Sequence, residues 1–190
     1  QKSDLPVSLQ RECQHGFVYG RRQFENVMKI RDVGAYADMV ADERAKGSCP
    51  EESPLLHGSD LVELMNGLHA CLKGTRGAVA GLCRLNRMNG EMEFVGVGNI
   101  TARLYGASPV TFVSRDGVLG YRMPTPKKQR AKVSPGDILI LNSDGIKERF
   151  DPIFYPDLLK GSAQKIAADL MDQLGKDSDD ASCIVLRCGR

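Results

Sequence analysis

The segment between residues 77 and 97 constrains the fold most. A nearly continuous apolar run, 77–85, is followed by Asn89-Gly90, and a second run, 91–97, answers it. Asn-Gly tolerates the positive φ angles of a tight two-strand turn, so this segment predicts a β-hairpin. An isolated hairpin is marginal in water, so it requires further strands and a covering layer. Residues 100–105 and 110–113 continue the strand pattern. Pro124 and Pro126 interrupt it, and Ser134-Pro135-Gly136-Asp137 makes a turn before the buried strand Ile138-Leu139-Ile140-Leu141. A last strand covers 183–186. Near the start, 16–20 and 26–30 read as two short strands joined around Arg21-Arg22-Gln23.

Three stretches carry helical spacing. Over 35–46, Tyr36, Met39 and Val40 share a face. Asp60 with Glu63 three residues on reads as a capping box, opening a helix striped by Leu61, Met65, Leu68 and Leu72 and closed by Lys73-Gly74. Ser162 opens the third, with Ile166, Leu170 and Leu174 on one face and Gly175 at its end. Strands with hairpin-like links, flanked by helix pairs, predict an α+β sandwich. The 190 residues suit one domain, 1–190.

Charge and cysteine usage exclude some functions. With 26 Lys+Arg against 24 Asp+Glu, the net charge of +2 argues against nucleic-acid binding. No apolar run approaches the roughly 18 residues of a membrane span, and no signal peptide is visible. The six cysteines form no C-x-x-C pair, and His15, His57 and His69 have no zinc spacing. They read as reduced core thiols of a cytoplasmic protein.

The chemistry concentrates where carboxylates stand at strand ends. Asp144 follows the buried strand directly, with Gly145 turning the chain away; Asp177-Ser178-Asp179-Asp180 precedes the last strand; Asp32 follows the strand 26–30. Converging carboxylates repel one another unless cations lie between them, and Mg²⁺ or Mn²⁺ prefer such all-oxygen surroundings. Taken alone, each motif also reads as an ordinary turn or solvated loop. Asp116-Gly117-Val118-Leu119-Gly120 is read as such a turn.

The run from Gly136-Asp137 through the strand to Ser143-Asp144-Gly145 resembles a signature of the metal-dependent PPM (type 2C) serine/threonine phosphatases. Asp179-Asp180-Ala181-Ser182 resembles their motif before the last strand. Gly74-Thr75-Arg76-Gly77-Ala78 with Gly96-Val97-Gly98-Asn99-Ile100 resembles their RsbX subgroup, which resets bacterial stressosomes. The resemblance implies an αββα sandwich of two antiparallel sheets flanked by helix pairs, with Mn²⁺ or Mg²⁺ at one end, as two ions or one. A water or hydroxide held by metal would attack a phosphoserine or phosphothreonine in line, with no protein side chain as nucleophile. The implied substrates are phosphorylated STAS-domain stressosome proteins, with no nucleic acid or membrane as partner.

Carried over by position, the implied metal residues are Asp32, Val33 (through its carbonyl), Asp144 and Asp179, with His15, Gly145 and Asp180 as neighbours able to contact metal. Val33 stands where the family has glycine, and Gln14-His15 where it has Gly-Asp. Asp38 and Asp42 are alternatives to Asp32, read as solvated carboxylates of the helix 35–46. Arg122, Lys127, Lys128, Arg130 and Lys132 form a basic stretch, read either as a solvated loop or as a docking surface for an acidic partner. Two other functional readings stand beside the phosphatase of stressosome proteins. One is a metal-deficient binding module; the other is a phosphatase of an anti-anti-sigma factor.

Overall fold

The computed structural model describes residues 17–21, 30–31, 34–40, 60–86, 88–147, 150, 154–176 and 181–188. Among the described residues, ten strands form two antiparallel five-stranded sheets. The first has the order β1-β10-β9-β6-β7, with β1 Phe17–Arg21, β10 Ala181–Arg187, β9 Ile138–Asn142, β6 Thr101–Tyr105 and β7 Val110–Phe112. The second has the order β2-β3-β4-β5-β8, with β2 Ile30–Arg31, β3 Gly34–Val40, β4 Ala80–Leu85, β5 Glu91–Val97 and β8 Gln129–Lys132. The predicted hairpin is β4–β5, and Gly90 has the positive φ of 72° that its turn requires.

Strand alternation divides the apolar residues between layers. Cys83, Leu85, Met92 and Phe94 from one sheet meet Ala102, Leu104, Phe112, Leu139, Leu141, Ile184 and Leu186 from the other. The Phe94 and Phe112 rings, 5.4 Å apart, bridge the sheets. On the outer face of the second sheet, Ala80, Leu82, Val95 and Val97 receive helix α1, Leu61–Cys71. On the outer face of the first, Ile138, Ile140, Cys183 and Val185 receive helix α2, Ala163–Leu174. The architecture is the expected sandwich, with one helix on each outer face among the described residues. None of the described helices is long and apolar enough to cross a membrane.

Both helices start at side-chain caps that satisfy otherwise orphaned N–H groups. Asp60 accepts from the Val62 N–H at 2.8 Å, and Ser162 from the Lys165 N–H at 3.2 Å. One expected helix is not formed. Residues 34–40 are strand β3, paired with β4 from Ala35↔Leu85 to Val40↔Ala80. The spacing of Tyr36, Met39 and Val40 fits a helix, but a ladder of cross-strand bonds to β4 outweighs so short a pattern.

The register gives the sandwich two distinct ends. Val40, Ala80, Val97, Thr101, Asn142, Ala181 and Arg21 lie at one; Gly34, Leu85, Met92, Tyr105, Ile138 and Arg187 lie at the other. Between Leu85 and Ala80, β4 runs about 17 Å.

Candidate metal centre

Asp144 emerges where β9 ends, at the first of these ends. Its position is fixed by a lattice of bonds between β9 and β10. The Ser143 N–H donates to the Ser182 carbonyl at 3.1 Å, and the Ser143 hydroxyl accepts from the Ser182 N–H at 3.0 Å. Asn142, 5% exposed, donates its amide to the Ser143 carbonyl at 2.9 Å. Beyond Asp144, the Gly145 carbonyl accepts from the Lys176 N–H at 2.8 Å, and the Lys176 ammonium donates to the Asp144 main-chain carbonyl at 2.5 Å. The turn at 143–146 is thus held to both ends of the 175–182 segment.

The carboxylate itself is oriented from the other sheet. Gly98, at φ 94°, lets the chain leave β5 and cross to β6, where an added Cβ would lie 2.2 Å from Val79 Cγ1. Asn99, on this crossover, donates its Nδ2 to Asp144 Oδ2. Among the described residues nothing else donates to that carboxylate. One hard oxygen therefore remains available at a strand end, which is the donor chemistry Mg²⁺ or Mn²⁺ takes. The Lys176 ammonium nearby works against this by adding a positive charge. Among the described residues no three His, Cys, Asp or Glu side chains come together.

Of the expected metal residues, only Asp144 and Gly145 are described. His15, Asp32, Val33, Asp179 and Asp180 lie outside the described residues. β10 begins at Ala181, beside the end of β9, so the chain enters it at the Asp144 end. Arg31 and Gly34, on either side of Asp32 and Val33 in the sequence, pair with each other at the Leu85 end. Val40, at the other end of β3, is at the Asp144 end. In β1, Phe17 pairs with Val185 and Arg21 with Ala181.

Asn99 and Ser143 lie within the quoted motifs, but motif reading assigned neither a role at the site. Gly98-Asn99 marks a crossover, but nothing local shows that its amide meets a carboxylate 45 positions away. Of the residues 116–120, read as a turn, Val118 to Gly120 enter a turn over 118–122, with Val118 and Arg122 bonded to each other at 2.8 and 3.0 Å and Gly120 at φ 85°. The basic stretch is not the acid-free surface its sequence suggests. Lys128 pairs with Asp60 and with Glu93 (3.5 Å), Arg130 pairs with Glu93 at 3.0 Å, and Lys132 stands opposite Glu91 across β8–β5.

The profile of the Stage II sporulation protein E (SpoIIE) family matches residues 49–189, most of the chain. The chain belongs to the SpoIIE family. It therefore carries a PP2C-like phosphatase domain. No curated protein sequence matches it significantly. Among solved structures, one similar chain comes from work on the bacterial stressosome as a modular system adapted to control secondary messenger signaling. It is 25% identical, with TM-score 0.79, over 90% of this chain and 98% of that one. RsbX in complex with magnesium is 19% identical, with TM-score 0.61, over 90% of this chain and 92% of that one. The catalytic domain of the serine/threonine phosphatase PstP with two manganese ions is 14% identical, with TM-score 0.61, over 93% and 98%. At those identities the last two establish that this SpoIIE-family chain shares the fold.

Proposed function

We propose that the chain, read as a single phosphatase domain, is a Mn²⁺- or Mg²⁺-dependent phosphoserine/phosphothreonine protein phosphatase of RsbX-like type, acting on stressosome proteins. The observation that carries the reading is the Asp144 carboxylate, held at the end of β9 by Asn99 with no second donor to it among the described residues. The likeness to the stressosome chain supports the substrate class, and the magnesium and manganese of RsbX and PstP support the metal. The reading assigns metal contact to Asp144 and Asp179, with Asp180 beside them, and prefers Asp42 to Asp32 as the amino-terminal carboxylate because β3 runs from the Leu85 end to Val40 at the Asp144 end. Thiols rather than disulfides at Cys71, Cys83 and Cys183 suit a reducing compartment, and the reading keeps the cytoplasm.

The residues divide the work. Asp144 presents a carboxylate oxygen, Asn99 holds the other so that the group does not rotate away, and Ser143 keeps β9 in step with β10. A bound divalent ion supplies Lewis acidity, lowering the pKa of water and offsetting charge on phosphate. Asp144→Asn keeps the Asn99 contact geometry but removes the charge. Mn²⁺-dependent phosphate release from a phosphoserine peptide is expected to fall at least about a hundredfold in this variant. Release within twofold of the parent protein would overturn the assignment.

A further inference from the structure

The register separates two sets of basic side chains. Lys128, Arg130 and Lys132 face carboxylates on β5 and α1, and the pairing leads away from Asp144, because Lys132 stands opposite Glu91 at the far end of β5. Arg115 and Arg122 belong to the other end. Arg115 lies against Val97 in a parallel bridge; its N–H donates to the Gly96 carbonyl at 2.9 Å, and its carbonyl accepts from the Gly98 N–H at 2.8 Å. That puts its backbone next to the residue preceding Asn99, and Asn99 holds Asp144.

The loop that carries these arginines is firmly built. Ser114 donates its hydroxyl to the Ile100 carbonyl at 2.6 Å, in a space that a Cβ on Gly96 would fill. A Cβ on Gly117 would lie 2.6 Å from Pro124 Cδ, 2.8 Å from the Arg122 carbonyl and 3.4 Å from Val97 Cγ1, so Arg122 and Val97 close on the same glycine. Leu119, fully buried, exchanges two main-chain bonds with Ala78, at 3.1 and 2.8 Å, and the Gly120 N–H donates to His69 Nδ1 at 3.0 Å. Arg76, two residues before Ala78, is thereby brought beside the loop. Arg76, Arg115 and Arg122 are all exposed. Asp116 is the only acid between 111 and 126.

We infer that Arg115 and Arg122, with Arg76 beside them, form the surface that binds an acidic segment flanking the phosphate of a phosphoprotein. The inference rests on the phosphatase reading above and gives it a substrate preference. Three features favour this occupant. The surface is continuous with the Asp144 end, its charge is positive, and all three cations are arginines, whose planar forks match carboxylate and phosphate oxygens in pairs. The backbones of Arg115 and Arg122 are held by main-chain bonds to β5 and to Val118, so little loop ordering opposes binding.

Two phosphoserine peptides test it, one flanked by Glu and one with Gln in the same positions. The parent protein is expected to show about a tenfold higher kcat/KM on the Glu peptide, and the preference should fade as salt is raised. Arg115→Ala/Arg122→Ala should abolish the preference while leaving the Gln peptide within about twofold. Lys132→Ala, at the far end, should leave both rates unchanged. Fluorescence anisotropy of the labelled Glu peptide, recorded with EDTA, separates this from the chemistry. Arginine-dependent binding without any turnover would sink the phosphatase reading and keep the inference. Equal turnover and equal binding of the two peptides by the parent protein, or a preference untouched by the double substitution, would overturn the inference alone.

Discussion

Asn99 shows how a single neutral side chain can set a candidate metal centre. Its amide, from the crossover between the sheets, holds one oxygen of Asp144, so the carboxylate faces a fixed direction. Asn99→Leu removes that donor and is expected to weaken Mn²⁺ binding about tenfold by calorimetry without lowering the urea midpoint appreciably, because the residue is exposed. Unchanged affinity would show that Asp144 is oriented from elsewhere. The cysteines make the opposite case, of reactive groups without a reaction. Burial pushes the thiols of Cys83 and Cys183 up to about 12, so neither forms thiolate near neutrality. Iodoacetamide at about pH 8, followed by peptide mass spectrometry, should leave both unmodified until the protein is denatured. Asp144 was legible in the sequence because a carboxylate between a buried strand and a glycine stands out. Asn99 was not, because its role depends on a contact between sheets that no local pattern encodes.

At the scale of elements, the tie between α1 and the β5–β8 edge carries a pH signature. Asp60 caps α1 and meets Lys128, which also faces Glu93. The Lys128 ammonium, helped by the Val62 N–H, holds the Asp60 carboxyl below its ordinary 3.8, and the same partnership raises Lys128 above its ordinary 10.5. A depressed carboxyl stabilises fully above its unfolded value and loses that contribution as the pH falls through its folded value; a raised lysine loses its contribution only above 10.5. Asp60→Asn keeps the cap and removes the charge. The stability gap between parent and variant in urea should therefore be flat from about pH 5 to 8 and close below about pH 4. A gap that persisted at pH 2 would exclude the charge as its source. The elements themselves were mostly legible: the β4–β5 hairpin, both capped helices and the strand β9 follow turn chemistry and periodicity. Strand β3 was not, since its partner β4 lies 40 residues on, and pairing with β4 decides between strand and helix.

For the whole molecule, topology matters more than motif order. Taken along the sequence, Asp32 is the first carboxylate after an early strand; placed on the sheets, its neighbours Arg31 and Gly34 pair at the Leu85 end, and β3 carries the chain back toward Asp144. The SpoIIE-family fold thus brings β9, β10, β3 and the β5–β6 crossover to one end of the sandwich, with the Arg115 loop laid over it. The most direct test of a metal centre at that end is a crystal of the protein soaked in Mn²⁺ and measured for anomalous scattering. We expect a manganese peak at the Asp144 carboxylate, with Asp42 and Asp179 converging on it and Asp32 distant. No peak at Asp144, or manganese bound beside Asp32 instead, would contradict the account.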